Sequence, residues 1–176
     1  MVPLRFDQAR IAAFLELAGA RLTGDWLLIG GAAAAAWFAL ERTTEDVDLI
    51  GLGGTAAERL ALMDLAVEAG IPIEAVNSAA DFFVRRIAGW RDELVVLVRG
   101  ARATIHRPSA TLFLLLKLAR LTAVDLDDCL RLLAHCAAQV EVVDPARVVA
   151  ALDALPATAD SALASRRSLL RAALLP

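Results

Sequence analysis

An uncharged run from Trp26 to Leu40, bounded by Asp25 and Glu41, dictates more of the architecture than any other stretch of the chain. It is shorter than the about 20 apolar residues a bilayer-spanning helix needs, and Gly30-Gly31 breaks it near its start. Before the break, Trp26-Leu27-Leu28-Ile29 reads as a short buried strand; after it, the alanine run is a strong helix former. The unit is therefore strand, glycine turn, helix. That reading accounts for part of a composition that is 59% hydrophobic with a mean hydropathy of +0.60, values at which a membrane location has to be tested. The N-terminal MVPLRFDQAR sets Asp7 and Arg10 ahead of any apolar run and lacks the basic-then-apolar order of a secretory signal. A cytoplasmic protein with no membrane partner is expected, and the surplus of alanine and leucine suits packed helices or a contact with a second copy of the chain.

The second constraint is Asp46-Val47-Asp48-Leu49-Ile50, in which polar and apolar residues alternate with the period of a half-buried strand. Asp46 and Asp48 then leave one face while Val47 and Leu49 point to the core. A D-x-D pair on a strand is often no more than solvated, but two converging carboxylates also suit Mg²⁺, which takes a few carboxylate oxygens supplemented by water and phosphate. A Gly-Gly turn before a helix lets backbone N–H groups approach a phosphate unobstructed. Phosphate cradle and carboxylate pair together are the minimum equipment for metal-assisted nucleotidyl transfer.

The remaining elements follow from periodicity and punctuation. A helix is expected over about 6–22, with Ile11, Phe14, Leu15, Ala18 and Leu22 at helical spacing; another runs from a Thr55 cap to about Ala69 and ends at Gly70 and Pro72. Residues 79–88 read as helix, and Glu93–Val98 with Arg102–His106 as a hairpin around Arg99-Gly100. Four helices follow, at about 108–121, 126–137, 145–155 and 159–174, with Pro108 and Pro145 in first-turn positions. The expected class is α+β, a small mixed sheet flanked by helices over 1–107 and a helical bundle over 108–176.

With its turn and strand in place, the segment Leu28-Ile29-Gly30-Gly31-Ala32-Ala33 followed by Arg42, Thr44, Asp46, Asp48 and Leu49 resembles the signature of the nucleotidyltransferase superfamily. It is similar to the branch containing abortive-infection toxins and related bacterial proteins. Gly89-Trp90, then Lys117-Leu118-Ala119-Arg120 and Asp125-Leu126-Asp127-Asp128, extend the likeness to roughly residues 26–133. The resemblance implies that Asp46 and Asp48 hold Mg²⁺ as metal ligands and catalytic carboxylates, that Gly30 and Gly31 contact the triphosphate, and that Lys117 with Arg120 faces the nucleotide. Arg42 and Thr44 stand on the loop entering the carboxylate strand, there to bind nucleotide or to shape that loop. Lys117, the only lysine in the sequence, brings a compact ammonium on a flexible stem to a chain otherwise built on arginine.

Such enzymes use a third carboxylate on a neighbouring strand. The candidates are Asp92 and Glu93, with Glu93 adjoining the apolar strand Leu94–Val98. Two functions follow. One is Mg²⁺-dependent transfer of a nucleoside monophosphate from an NTP to an RNA, protein or small-molecule hydroxyl. The other is a catalytically weakened nucleotidyltransferase-fold binding protein, such as one half of a toxin–antitoxin-like pair with a cognate partner. The net charge of −3 opposes general nucleic-acid binding, but 85–107 holds six arginines against Asp92 and Glu93, a local net of +4. Cys129 and Cys136, seven apart on one predicted helix, are too distant to bridge and read as small core residues. His106 and His135 read as structural.

Overall fold

The computed structural model describes residues 5–78 and 81–175. The chain divides into two compact units, Met1–Pro108 and Ser109–Pro176. The class is α+β, as the sequence leads one to expect.

The first unit opens with helix α1 (Gln8–Arg21), whose first turn is capped by Asp7 accepting from the Arg10 N–H. Strand β1 (Gly24–Ile29) runs directly into α2 (Gly30–Trp37), and β2 (Val47–Gly51) returns antiparallel to β1. Helix α3 (Ala56–Glu68) starts in a full capping box: the Thr55 hydroxyl accepts from the Glu58 N–H while Glu58 accepts from the Thr55 N–H. A single turn (Ile73–Ala75) leads into β3 (Val76–Asn77), parallel to β2. A short helix α4 (Asp81–Val84) and a turn (Trp90–Glu93) precede the hairpin of β4 (Leu94–Arg99) and β5 (Ala103–Pro108).

The sheet order is β3-β2-β1-β5-β4, with β1 and β5 parallel. Central β1 is buried on both faces, Trp26, Leu27, Leu28 and Ile29 all lying in the core. The same cover explains why Ile50 is buried beside Leu49, where strict alternation would expose it. The alanines of α2 (Ala32 to Ala35) have no exposed surface; side chains this small let α2 lie close to β1, β2 and α1, which it contacts. The tip of the hairpin meets α1 backbone to backbone: Arg102 N–H donates to the Gly19 carbonyl at 3.0 Å, beside Gly100.

Several expectations are corrected. The carboxylate strand begins at Val47, so Asp46 stands just outside it. The helix read over 79–88 is confined, among the described residues, to Asp81–Val84; Ala79 and Ala80 lie outside them, as do residues 1–4, on which the leader reading partly rests. Pro108 closes β5 instead of opening a helix, because its position opposite Leu94 is the last of the ladder and Ser109 takes the cap.

The second unit comprises α5 (Ala110–Leu118), α6 (Ala123–Gln139), α7 (Pro145–Asp153) and α8 (Ser161–Leu174). Helix α5 packs on α6 and α7, and α8 on the same two. Pro145 does occupy the first turn of α7 behind an Asp144 cap. Cys129 and Cys136 are buried free thiols. No helix among the described residues is long and apolar enough to cross a membrane.

Candidate functional site

The glycine turn and the acidic strand meet because β1 and β2 are neighbours in register: Ile29, the last residue of β1, pairs with Asp48. The next residue, Gly30, has φ +67, a conformation L side chains rarely adopt. A Cβ there would run into the Asp48 carboxylate, with its Cγ only 3.5 Å away. Asp48 thus sits against the first residue of α2, where the positive end of the helix favours an anion.

Gly31 is a second close approach. A Cβ on it would lie 2.8 Å from the Thr44 hydroxyl and 2.9 Å from both terminal nitrogens of Arg42. These side chains are set by the loop between α2 and β2. Arg42 donates to the Thr43 carbonyl at 2.8 Å, and the Thr44 hydroxyl donates to the Asp46 carbonyl at 3.2 Å. The loop is pinned by a two-bond bridge, Phe6 N–H to the Thr44 carbonyl at 2.8 Å and Thr44 N–H to the Phe6 carbonyl at 3.0 Å. Gly30, Gly31, Arg42, Thr44 and Asp48, separate in the sequence signature, are one packed cluster. Asp46 is exposed just before the start of β2, two residues from Asp48 in the chain.

Glu93 does not join them. It ends the turn before β4, and since β1 and β5 run parallel with Leu27 beside His106, it lies at the same end of the sheet as Asp48. It is nevertheless three strands away, roughly 14 Å at the usual strand spacing. Among the described residues no three His, Cys, Asp or Glu side chains form a group suited to a metal ion. The immediate neighbour of Asp48 on the other side is Asn77 of β3, in parallel register and exposed. Asn77 was invisible to periodicity because β3 is two residues long. Its amide oxygen is a hard, neutral donor where a carboxylate would carry charge.

Lys117 and Arg120 belong to the helical unit. The Lys117 ammonium donates to Asp125 at 2.8 Å and to Asp128 at 3.0 Å, and the three residues are 8%, 2% and 1% exposed. Arg120 donates to Asp125 at 3.1 Å, and Asp125 also closes the capping box of α6 with Thr122. Burial alone would raise the Asp125 pKa, but hydrogen bonds from Arg120 and Lys117 hold it well below the usual carboxylate range. The same burial pushes the neighbouring Cys129 thiol up to about 12, which leaves it inert at neutral pH. Lys117 is therefore a buried counter-ion to two carboxylates.

The arginine-rich run does not fold into one patch. Arg85 pairs with Asp81 at 2.7 Å, Arg86 lies over Phe82 at 4.4 Å, Arg91 over Trp90 at 4.5 Å and Arg107 over Trp37 at 3.7 Å. Arg99 and Arg102 flank the hairpin tip, some 16 Å along the strand from Arg107. His106 meets Asp25 of β1 at 3.0 Å, and His135 faces Glu141 at 4.0 Å. Compared with protein-family models, with characterised proteins and with solved structures, the chain matches none of them.

Proposed function

We propose that the cluster from Gly30 to Asp48 binds an NTP with Mg²⁺ and transfers its nucleoside monophosphate to a hydroxyl acceptor. The observation that carries this reading is the convergence of a glycine-opened helix start, a guanidinium, a hydroxyl and a carboxylate at one end of the sheet. In the reaction the acceptor oxygen bonds to the α-phosphorus and the α–β bridging P–O bond breaks. Pyrophosphate then leaves, and the hydroxyl proton passes to solvent. Asp46 and Asp48 would hold the Mg²⁺ ion, which commonly takes one or two carboxylates and completes its shell with water and phosphate. When bound, it neutralises charge on the phosphates. The chain's own part is to orient: α2 presents backbone N–H groups to phosphate oxygens, and Arg42 supplies a planar fork beside them. An RNA 3′ end, a protein hydroxyl or a small molecule would serve as acceptor.

A second reading is favoured by Asn77 standing beside Asp48 while Glu93 lies three strands off: a binding protein of reduced turnover, nucleotide-sensing or working as half of a toxin–antitoxin-like pair. Incubation with each α-labelled NTP, Mg²⁺ and total RNA separates the two. Covalent label transfer that vanishes in Asp48→Ala supports the enzyme. Transfer that persists in the Asp46→Ala/Asp48→Ala double variant sinks it, and Mg²⁺-dependent binding without transfer supports the second reading.

A further inference from the structure

Behind the two side chains that cover Gly31 lies a cavity of about 330 Å³, lined by Arg5, Arg42, Thr43, Thr44 and Glu45. Arg42 and Thr44 are at once the wall of this cavity and the groups packed on the first turn of α2. Arg5 arrives from a different part of the chain. The antiparallel bridge Phe6–Thr44 sets it opposite Glu45, and its carbonyl is held by Arg10 at 3.1 Å. The lining residues are thus two arginines, two threonines and one glutamate, with a net charge of +1.

We infer that this cavity is a pyrophosphate pocket, receiving the β- and γ-phosphates of the NTP with Arg5 as its second cation. Planar guanidinium forks match pairs of phosphate oxygens, while the Thr44 hydroxyl, whose proton goes to the Asp46 carbonyl, shapes the wall. Small-molecule pockets run from about 300 to 1,000 Å³, and this one, open to solvent and at the bottom of that range, has room for a phosphate tail. Glu45, across from Arg5, is a built-in competing anion that a bound polyphosphate must displace or outweigh. The inference rests on the nucleotide reading for the identity of the ligand; the pocket itself can be tested without it.

Inorganic pyrophosphate, titrated calorimetrically into the intact chain without divalent metal and with sulfate as a control, is the direct probe. Binding should weaken by about tenfold in Arg5→Gln and in Arg42→Gln, the loss of a charge-assisted contact. It should tighten in Glu45→Gln, a gain that damage to the fold would not produce. Asp64→Asn, exposed on α3 and outside the cavity lining, should leave it unchanged. Pyrophosphate affinity indifferent to Arg5→Gln, or no stronger than sulfate, overturns the pocket. If label transfer from NTP proceeds while Arg5→Gln has no effect on either readout, the pocket falls and the transferase reading stands. If pyrophosphate binds through Arg5 and no NTP reacts or binds, the pocket stands and the nucleotide reading falls.

Discussion

At the scale of single residues, the two glycines are explained by what lies on them. Gly30 makes room for Asp48, and Gly31 makes room for Arg42 and Thr44. Gly30→Ala must adopt a positive φ, a cost of about 1–2 kcal/mol, and must also push the Asp48 carboxylate aside. Chemical denaturation of Gly30→Ala, Asp48→Ala and the double variant should therefore show coupling: the double variant loses less stability than the sum of the singles. Strict additivity would mean that the two residues do not press on each other. Val140 ends α6 in the left-handed region with φ +56 while 89% exposed, so its side chain is strained without being packed. Val140→Gly should raise stability by about 1 kcal/mol, read as a higher denaturation midpoint.

At the scale of elements, two contacts hold pieces together by means other than apolar packing. The hairpin tip reaches α1 through Gly19 and Gly100, and a Cβ at Gly19 would lie 2.9 Å from the Gly100 Cα. Helix propensity favours alanine over glycine by about 1 kcal/mol, yet Gly19→Ala should destabilise, since the obstructing atom is backbone. A rise in melting temperature would contradict that. In the helical unit, α5 and α6 are tied by Lys117 with Asp125 and Asp128. Lys117→Ala removes the ammonium shared by two buried carboxylates, of which Asp125 keeps Arg120 and Thr122, and should cost about 3–5 kcal/mol, while Lys117→Met with Asp125→Asn and Asp128→Asn should recover part of it. The sign of the pH dependence follows from the depressed Asp125 pKa. Its contribution is complete above the unfolded value of about 4 and is lost as pH falls from there toward the folded value. Helical circular dichroism should therefore show acid loss beginning below about pH 4, with a smaller slope in Asp125→Asn.

For the molecule as a whole, the parts of the fold written locally were readable from residues alone. Trp26 to Leu40 announces strand, glycine turn and helix; Thr55 with Glu58 announces a helix start; Pro145 behind Asp144 announces another. What could not be read depends on register between distant segments. Ile29 beside Asp48 turns two motifs into one cluster, and Asn77 reaches Asp48 through a strand too short to have a period. Arg5 enters only through its bridge to the loop of Arg42. Glu93 adjoins an apolar strand as expected, but that strand is the outermost of the sheet on the far side from Asp48. Asp125 of α6 meets both Lys117 and Arg120, and Asp128 meets Lys117 as well, a convergence set by how α5 and α6 pack. The proposed function makes the Gly30–Asp48 cluster a Mg²⁺–nucleotide site. Calorimetric titration of a non-hydrolysable NTP analogue, with and without Mg²⁺, into the wild type and Asp48→Ala tests it most directly. The claim predicts Mg²⁺-dependent binding that Asp48→Ala weakens by at least about tenfold, or about 1.4 kcal/mol, with the circular dichroism spectrum unchanged. Absence of binding by the wild type, or equal binding by the variant, would contradict it.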